Sequence, residues 1–428
     1  MKAAYPLALL FFILSFHVGN AINLPKVIKN TVYSDNIRTV EMYCEGDKLS
    51  NPIIKLNSEE QLICSFDDLN DVHEDYYYTI YHCNRDWELS SISQQEYMDS
   101  FFDFPLTDYE YSVNTEVEYI NYTLKIPNED VPIVLSGNYV LIIFDSEQPD
   151  QPLISWRFYV VDPKVNTSAR IRRATYDPVN GENQEIDFII DHENFAIQNP
   201  SSDIKVVITQ NNRTDNAITT LRPLFINNKT LEYDYNMENT FKGENEFRAF
   251  EIRNIMHPGR NVEEIKFYPP VYHATLSRDY PRLLKPYNFF KEMNGNFYIE
   301  ATNKDDPEIE ADYLFVHFTL QITKPLLGGG IYVFGKLSNW QCTKPYEMQY
   351  SMERNQYELT LLLKQGYYNY TYAYKDNASN EIKCYNLEGS HYETENDYQI
   401  YVYYGRMTDR YDRLIGYNEF NSLSDHSY

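Results

Sequence analysis

Tyrosine is the most abundant side chain in this sequence with chemistry to offer. The run Tyr367-Tyr-Asn-Tyr-Thr-Tyr-Ala-Tyr374 alternates, so Tyr368, Tyr370, Tyr372 and Tyr374 share one face of a strand. With Trp340 they make an aromatic set of the kind that stacks on sugar rings or anchors a protein partner, since Tyr is apolar in body and polar at its tip. The competing reading buries the same face in the core of its own sheet sandwich. Oxygen-rich stretches, Asp67-Asp68-Leu69-Asn70-Asp71-Val72-His73-Glu74-Asp75 and Asp305-Asp306-Pro307-Glu308, would suit a hard cation such as Ca²⁺. Both lack the Gly and Glu spacing of an EF-hand and read better as solvated acidic loops. His192-Glu193 has no second His and reads as a surface turn. Gly328-Gly-Gly330 precedes a strand and reads as a hairpin entry, not a phosphate cradle.

No Walker A loop, G-x-G-x-x-G, G-x-S-x-G or H-E-x-x-H is present. A glycosidase pair cannot be picked out among 63 acids. The expectation is therefore a non-enzyme with no catalytic residue, cofactor, metal or small-molecule substrate. The five cysteines, Cys44, Cys64, Cys83, Cys342 and Cys384, are far apart and contain no C-x-x-C, so neither a disulfide framework nor a zinc site is expected. Cys342 and Cys384 are the pair to test for a bridge; small buried thiols are the alternative for the other three.

The elements that must carry these groups are strands. Tyr, Ile, Val, Thr and Phe dominate, and they fit a pleated, half-buried surface. Strand patterns fall at Tyr76–Tyr81, Tyr119–Ile126, Tyr139–Phe144 and Trp156–Val161, with turn chemistry between them. Tyr139–Phe144 is continuously apolar, as a strand covered on both faces would be. Further candidates are Ile186–Ile190, Ile204–Gln210, Phe247–Ile252, Tyr313–Ile322, Ile331–Phe334 and Tyr357–Leu363. Met256–Asn288, with five Pro, reads as a long loop or extended crossover. The fold class expected is mainly β, with tandem β-sandwich domains and few short helices. The expected boundaries are 22–163, 164–325 and 326–405, followed by a frayed polar tail at 406–428.

Residues 1–21 read as a signal peptide: Lys2, an apolar run from Leu7 to Phe16, and small residues before a cut after Ala21. The run is too short to span a bilayer, and no Cys follows it closely enough for a lipoprotein anchor. Removing the segment takes the formal charge from −26 to −27. With 63 acids against 37 Lys and Arg, nucleic acid and anionic bilayers are excluded as partners.

Several ordered runs carry a family resemblance. Asp75-Tyr-Tyr-Tyr-Thr-Ile-Tyr-His-Cys-Asn-Arg-Asp-Trp87, Ser136-Gly-Asn-Tyr-Val-Leu141, Gln210-Asn-Asn-Arg-Thr-Asp-Asn-Ala-Ile218 and Gly243-Glu-Asn-Glu-Phe-Arg248 resemble the plug protein family of the type 9 secretion system of Bacteroidota, as do Asn294-Gly295 and Glu310-Ala-Asp-Tyr313. The resemblance implies a periplasmic β-sandwich protein that binds a very large outer-membrane β-barrel translocon and seals its periplasmic mouth when no cargo is passing. It carries over no active site. Arg85, Trp87, Arg213 and Arg248 lie within these runs and are candidate partner-binding residues; as anchors of core or loop, the arginines would instead need carboxylate partners. Phe334-Gly335, Trp340 and Gly366-Tyr367-Tyr368 are separately similar to early-set immunoglobulin-like modules, some of which bind glucans. That likeness sustains the alternative function, an exported carbohydrate-binding protein using the tyrosine face.

Overall fold

The computed structural model describes residues 22, 24–70, 72–98, 102–177 and 181–424. The expected signal segment, residues 1–21, lies outside them. The chain is mainly β, built as three two-layer units with a few one-turn helices.

In the first unit the strand Gly137–Asp145 lies between Tyr76–Cys83 and Pro152–Val161, antiparallel to both. Its continuous apolar run has the expected cause, because both of its faces are covered. Tyr139, Leu141 and Ile143 face the main core, while Val140, Ile142 and Phe144 pack with Cys83 and Trp87 on the other side. The opposing sheet orders Ile37–Cys44, Leu62–Asp68, Ile120–Ile126 and Tyr109–Tyr111. The one-turn helix Gln94–Tyr97 starts at a capping box, with Ser93 N donating to Glu96 Oε2 at 2.8 Å.

The remaining two units are not in tandem. Ile204–Gln210 pairs with Asp397–Tyr404, about half the chain away, and that strand pairs with Arg413–Asn421. These three strands close one core with Asn166–Arg173, Asn183–Asp191 and Thr230–Tyr233. Between the two halves of this core the chain builds the third unit, in which Tyr313–Leu320 pairs with Gln356–Lys364. A boundary at 325/326 would cut that sheet in two, so the expected division fails for a topological reason: the third unit is inserted into the second. The 406–428 tail is likewise corrected, since Arg413–Asn421 is a paired strand with Leu414 and Ile415 buried.

Three further expectations are corrected. Met256–Asn288 contains the hairpin Val262–Tyr268 and Val271–Leu276, extended through a parallel pairing with Tyr313–Leu320. Glu263, Glu264 and Lys266 point to solvent from an edge strand and mask its apolar period. Asp67 and Asp68 are not in a solvated loop; both are fully buried at the end of Leu62–Asp68. His192 is buried, its Nδ1 3.2 Å from the Phe195 carbonyl, while Glu193 is exposed.

Two of the quoted sequence runs meet in this scaffold. His82 and Cys83 stand opposite Tyr139 and Asn138. Asn138 Nδ2 donates to the Asn84 carbonyl at 3.2 Å, and Asn138 Oδ1 accepts from Tyr403 of the second unit at 2.8 Å. Gly137 has φ +154° and lies against the His82 ring, leaving no room for a Cβ. Gly137→Ala is expected to destabilise the chain by roughly 2–4 kcal/mol. Gly46→Ala, also at positive φ but in open space, should cost only about 1 kcal/mol. Urea unfolding of both variants checks the difference.

Candidate functional site

The tyrosine stripe points inward. Tyr368, Tyr370 and Tyr372 are at most 2% exposed and pack with Phe250 and Phe318 between the two sheets of the third unit. The alternation was legible, but the face it creates is the core face. Each hydroxyl finds an internal acceptor, as buried Tyr must: Tyr368 the Lys364 carbonyl at 2.6 Å, Tyr370 and Tyr372 both Asp279 Oδ2 at 2.6 and 2.8 Å. Tyr374 is half-buried and donates to the Leu327 carbonyl at 3.0 Å. Trp340 is half-buried, edge-on to Phe334 and Phe247. These five residues form no open aromatic platform.

Arg213 and Arg248, two of the three motif arginines, are likewise internal. Arg213 is 1% exposed. Its fork is bidentate to Asp215, at 3.1 and 2.8 Å, and Nη1 reaches Glu244 at 2.6 Å. The guanidinium also lies 5.1 Å over the Phe334 ring. Burial would lower its pKa, but the two carboxylates outweigh that and hold it well above the usual range. Arg248 is bidentate to Glu388, at 2.9 and 3.0 Å, and also meets Asp279. Arg282 closes on the same Glu388 at 2.6 Å. Burial would raise the Glu388 carboxyl, yet the two arginines hold it down at about 2. Trp87 is buried, with the Arg157 guanidinium 4.3 Å over its ring. Arg85 is half-buried, and its backbone N–H donates to Asp412 at 3.2 Å. Trp87, Arg213 and Arg248 are thus anchors rather than an open contact surface, because each satisfies its charge or its ring within the fold.

What the sequence did not reveal is where the first and third units lock. Lys364 Nζ sits 2.6 Å from Asp67 Oδ2, and both side chains are at most 1% exposed. Tyr313 donates to the same oxygen at 2.6 Å, and Asn121 donates to Asp67 Oδ1 at 2.8 Å. Lys364 also donates to the Glu308 carbonyl at 2.6 Å and lies 4.2 Å over the Tyr119 ring. Burial raises the Asp67 carboxyl against the pull of Lys364. Beside it, Glu41 is pushed up to about 7, first by burial and then by the charge of Glu308.

One carboxylate cluster has ligand spacing: oxygens of Glu185, Asp187 and Asp234 lie within 4.8 Å of one another. Arg172 Nη2 already stands 2.7 Å from Glu185 and 2.9 Å from Asp187, so a guanidinium supplies the cation. The cysteines are all free thiols. Cys342 and Cys384 share a small apolar cluster with Phe334 and Ala373, and burial pushes the Cys342 thiol up to about 12.

These sites generate two expectations. Lys364→Met leaves Asp67 charged and buried, which should cost about 3–5 kcal/mol, whereas Asp67→Asn with Lys364→Met should cost less than the lysine change alone. Denaturant unfolding measures both. The second concerns pH. The folded Glu41 carboxyl titrates near 7, above its ordinary 4.5, so the native chain holds a proton that the unfolded chain has lost. Stability should therefore fall as pH rises between those two values, by about 2–3 kcal/mol at full effect. Glu388 acts the other way: its contribution is present above its ordinary 4.5 and is lost as pH falls toward 2. Glu41→Gln should therefore reduce the loss of stability between pH 4.5 and 7 and leave the acid-side loss carried by Glu388 unchanged, as melting temperatures of the two chains across that range would show.

Comparison with known proteins follows the same lines. The model for the type 9 secretion system plug protein first domain matches residues 37–162, the first sandwich. The crystal structure of a hypothetical protein from Parabacteroides merdae is similar over 92% of this chain and 99% of its own, with 38% identity and a TM-score of 0.90. Dimeric latent PorU from Porphyromonas gingivalis aligns over 90% of this chain and 34% of its own at 8% identity and a TM-score of 0.16, a level that carries no argument. No curated protein matches. Residues 37–162 thus belong to the first-domain family of the type 9 secretion system plug proteins, within a chain that has the fold of the Parabacteroides merdae protein over 92% of its length.

Proposed function

We propose that the protein is a non-enzymatic periplasmic plug that binds the outer-membrane translocon barrel of the type 9 secretion system and closes its periplasmic opening when no cargo is passing. The observation that carries this reading is the first-domain match at residues 37–162. Physical arguments support it. A wide barrel encloses an aqueous channel, so it leaks unless something folded obstructs it. The three units of this chain are tied by hydrogen-bonded side chains across their boundaries: Asp67 to Lys364 and Tyr313, and Asn138 to Tyr403. A body fixed in this way loses little conformational entropy on docking.

The carbohydrate-binding alternative rested on an open tyrosine face. With Tyr368, Tyr370 and Tyr372 in the core, no observation favours it.

Tagged protein, expressed from its own locus, should recover a very large β-barrel protein from detergent extracts of the outer membrane. Cells lacking the plug should take up a bulky dye that intact cells exclude. Recovery of no such barrel would remove the proposed function.

A further inference from the structure

Residues 278–291, Arg-Asp-Tyr-Pro-Arg-Leu-Leu-Lys-Pro-Tyr-Asn-Phe-Phe-Lys, run opposite in sign to the rest of the chain. They hold four basic residues and one acid in a protein of charge −26. Arg282 is used internally against Glu388. Arg278, Lys285 and Lys291 are exposed, and no ion pair among the described residues engages them. Between these cations the segment displays apolar side chains to solvent. Leu284 is 94% exposed, and Leu283, Tyr280 and Phe289 are each about half exposed. A single exposed leucine needs no explanation, but two adjacent ones in a segment that also exposes Tyr280, Phe289 and three cations have the composition of a contact surface.

The segment is held firmly from beneath. The backbone N–H groups of Arg282 and Leu283 donate to the Leu387 carbonyl at 2.7 and 3.0 Å, and Lys285 N closes a turn on the Arg282 carbonyl at 2.8 Å. Tyr287 donates to Glu246 at 2.5 Å and to the Glu393 carbonyl at 3.0 Å. At the far end the Arg260 guanidinium lies 5.3 Å from the Phe290 ring centre. Anchored side chains thus raise an exposed Leu-Leu-Lys turn on a rigid base. Such a surface docks without first ordering itself, and its apolar tips are suited to filling pockets.

We infer that residues 278–291 are the docking ridge of this protein, and that Leu283 and Leu284 insert into an apolar pocket with an acidic rim on a protein partner. The inference rests on the plug reading, in which that partner is the periplasmic mouth of the translocon barrel. Charge complementarity selects the acidic rim: the segment carries four basic residues against one acid, and its three exposed cations have no ion pair among the described residues to neutralise them. The rigid base favours a shaped protein pocket over a lipid surface, which requires no fixed geometry.

The test uses full-length mature chain in the copurification described above. Leu283→Ser with Leu284→Ser should lower barrel recovery about tenfold. Lys285→Glu should lower it and remove most of its sensitivity to salt. Both leave exposed positions, so unchanged melting curves separate lost docking from lost folding. Phe225→Ser, at a 63% exposed residue of the second unit, should recover barrel normally. If wild-type chain recovers no barrel, the plug reading itself fails. If wild-type chain recovers it and the leucine variant does so equally, or if Phe225→Ser is equally damaging, the ridge is not the docking surface. Leucine-dependent sedimentation with protein-free phosphatidylglycerol vesicles would also overturn the inference, by making the partner a lipid.

Discussion

The ion pair between Asp67 and Lys364 is the constraint on which the arrangement of the units depends. Two opposite charges are removed from water at the boundary of two sandwiches, a position where each alone would cost several kcal/mol. The pair is tolerated because almost every remaining valence is used. Asp67 accepts from Lys364, Tyr313 and Asn121, while Lys364 donates to Asp67 and to the Glu308 carbonyl and rests over the Tyr119 ring. Such a pair adds little net stability over well-packed apolar residues. It is demanding about geometry instead. A slide or tilt between the units would strand a charge in a medium that cannot solvate it, whereas an apolar contact would slip at modest cost.

The same logic recurs where the second and third units meet. Arg213, Glu244 and Asp215 fix the loop after Ile204–Gln210 against Phe334 and Trp340 of the inserted unit. Arg248, Arg282, Glu388 and Asp279 fix its base. Glycines sit where backbones must touch: a Cβ on Gly243 would overlap the His391 carbonyl, and one on Gly295 the Trp340 ring. The insertion also ties the ends of the third unit to one core, so the unit is tethered at both ends rather than hinged on a single linker. Arg213 and Arg248 are therefore bonded internally at these joints.

Much of the local structure was legible in the sequence, and little of the long-range structure was. Tyr139–Phe144 declared itself because a strand covered on both faces has no polar alternation to confuse. The tyrosine run declared its period but not its partner sheet, since alternation says which residues share a face and nothing about what covers it. Arg413–Asn421 looked like a tail because Tyr417, Asn418 and Glu419 sit at a half-exposed edge, with polar side chains bonded to Asn51 and Gln399. Its pairing with Asp397–Tyr404, and that strand's with Ile204–Gln210, are visible only in three dimensions. The arginines were legible as groups in need of carboxylates. One carboxylate, Asp215, stood two residues from Arg213 in the same run; the others lay 31 residues away in Glu244 and 140 in Glu388, beyond the reach of local patterning.

Polar joints have a consequence for how three packed units can hold one arrangement. The first and second units also share an apolar patch, Ile53, Tyr159 and Val161 against Tyr401, Tyr403 and Leu414, whereas the lock between the first and third units is an ion pair; a joint made only of large apolar faces would expose them whenever it opened and invite aggregation. Charged, hydrogen-bonded contacts are solvated when apart and are strict about geometry when together. The high negative charge acts in the same direction, keeping free molecules separated. On such a chain a segment with four basic residues against one acid differs in sign from the net charge. Selectivity of approach then follows from contrast in sign across one molecule rather than from affinity alone, and a rigid core is what keeps that contrast pointing in one direction.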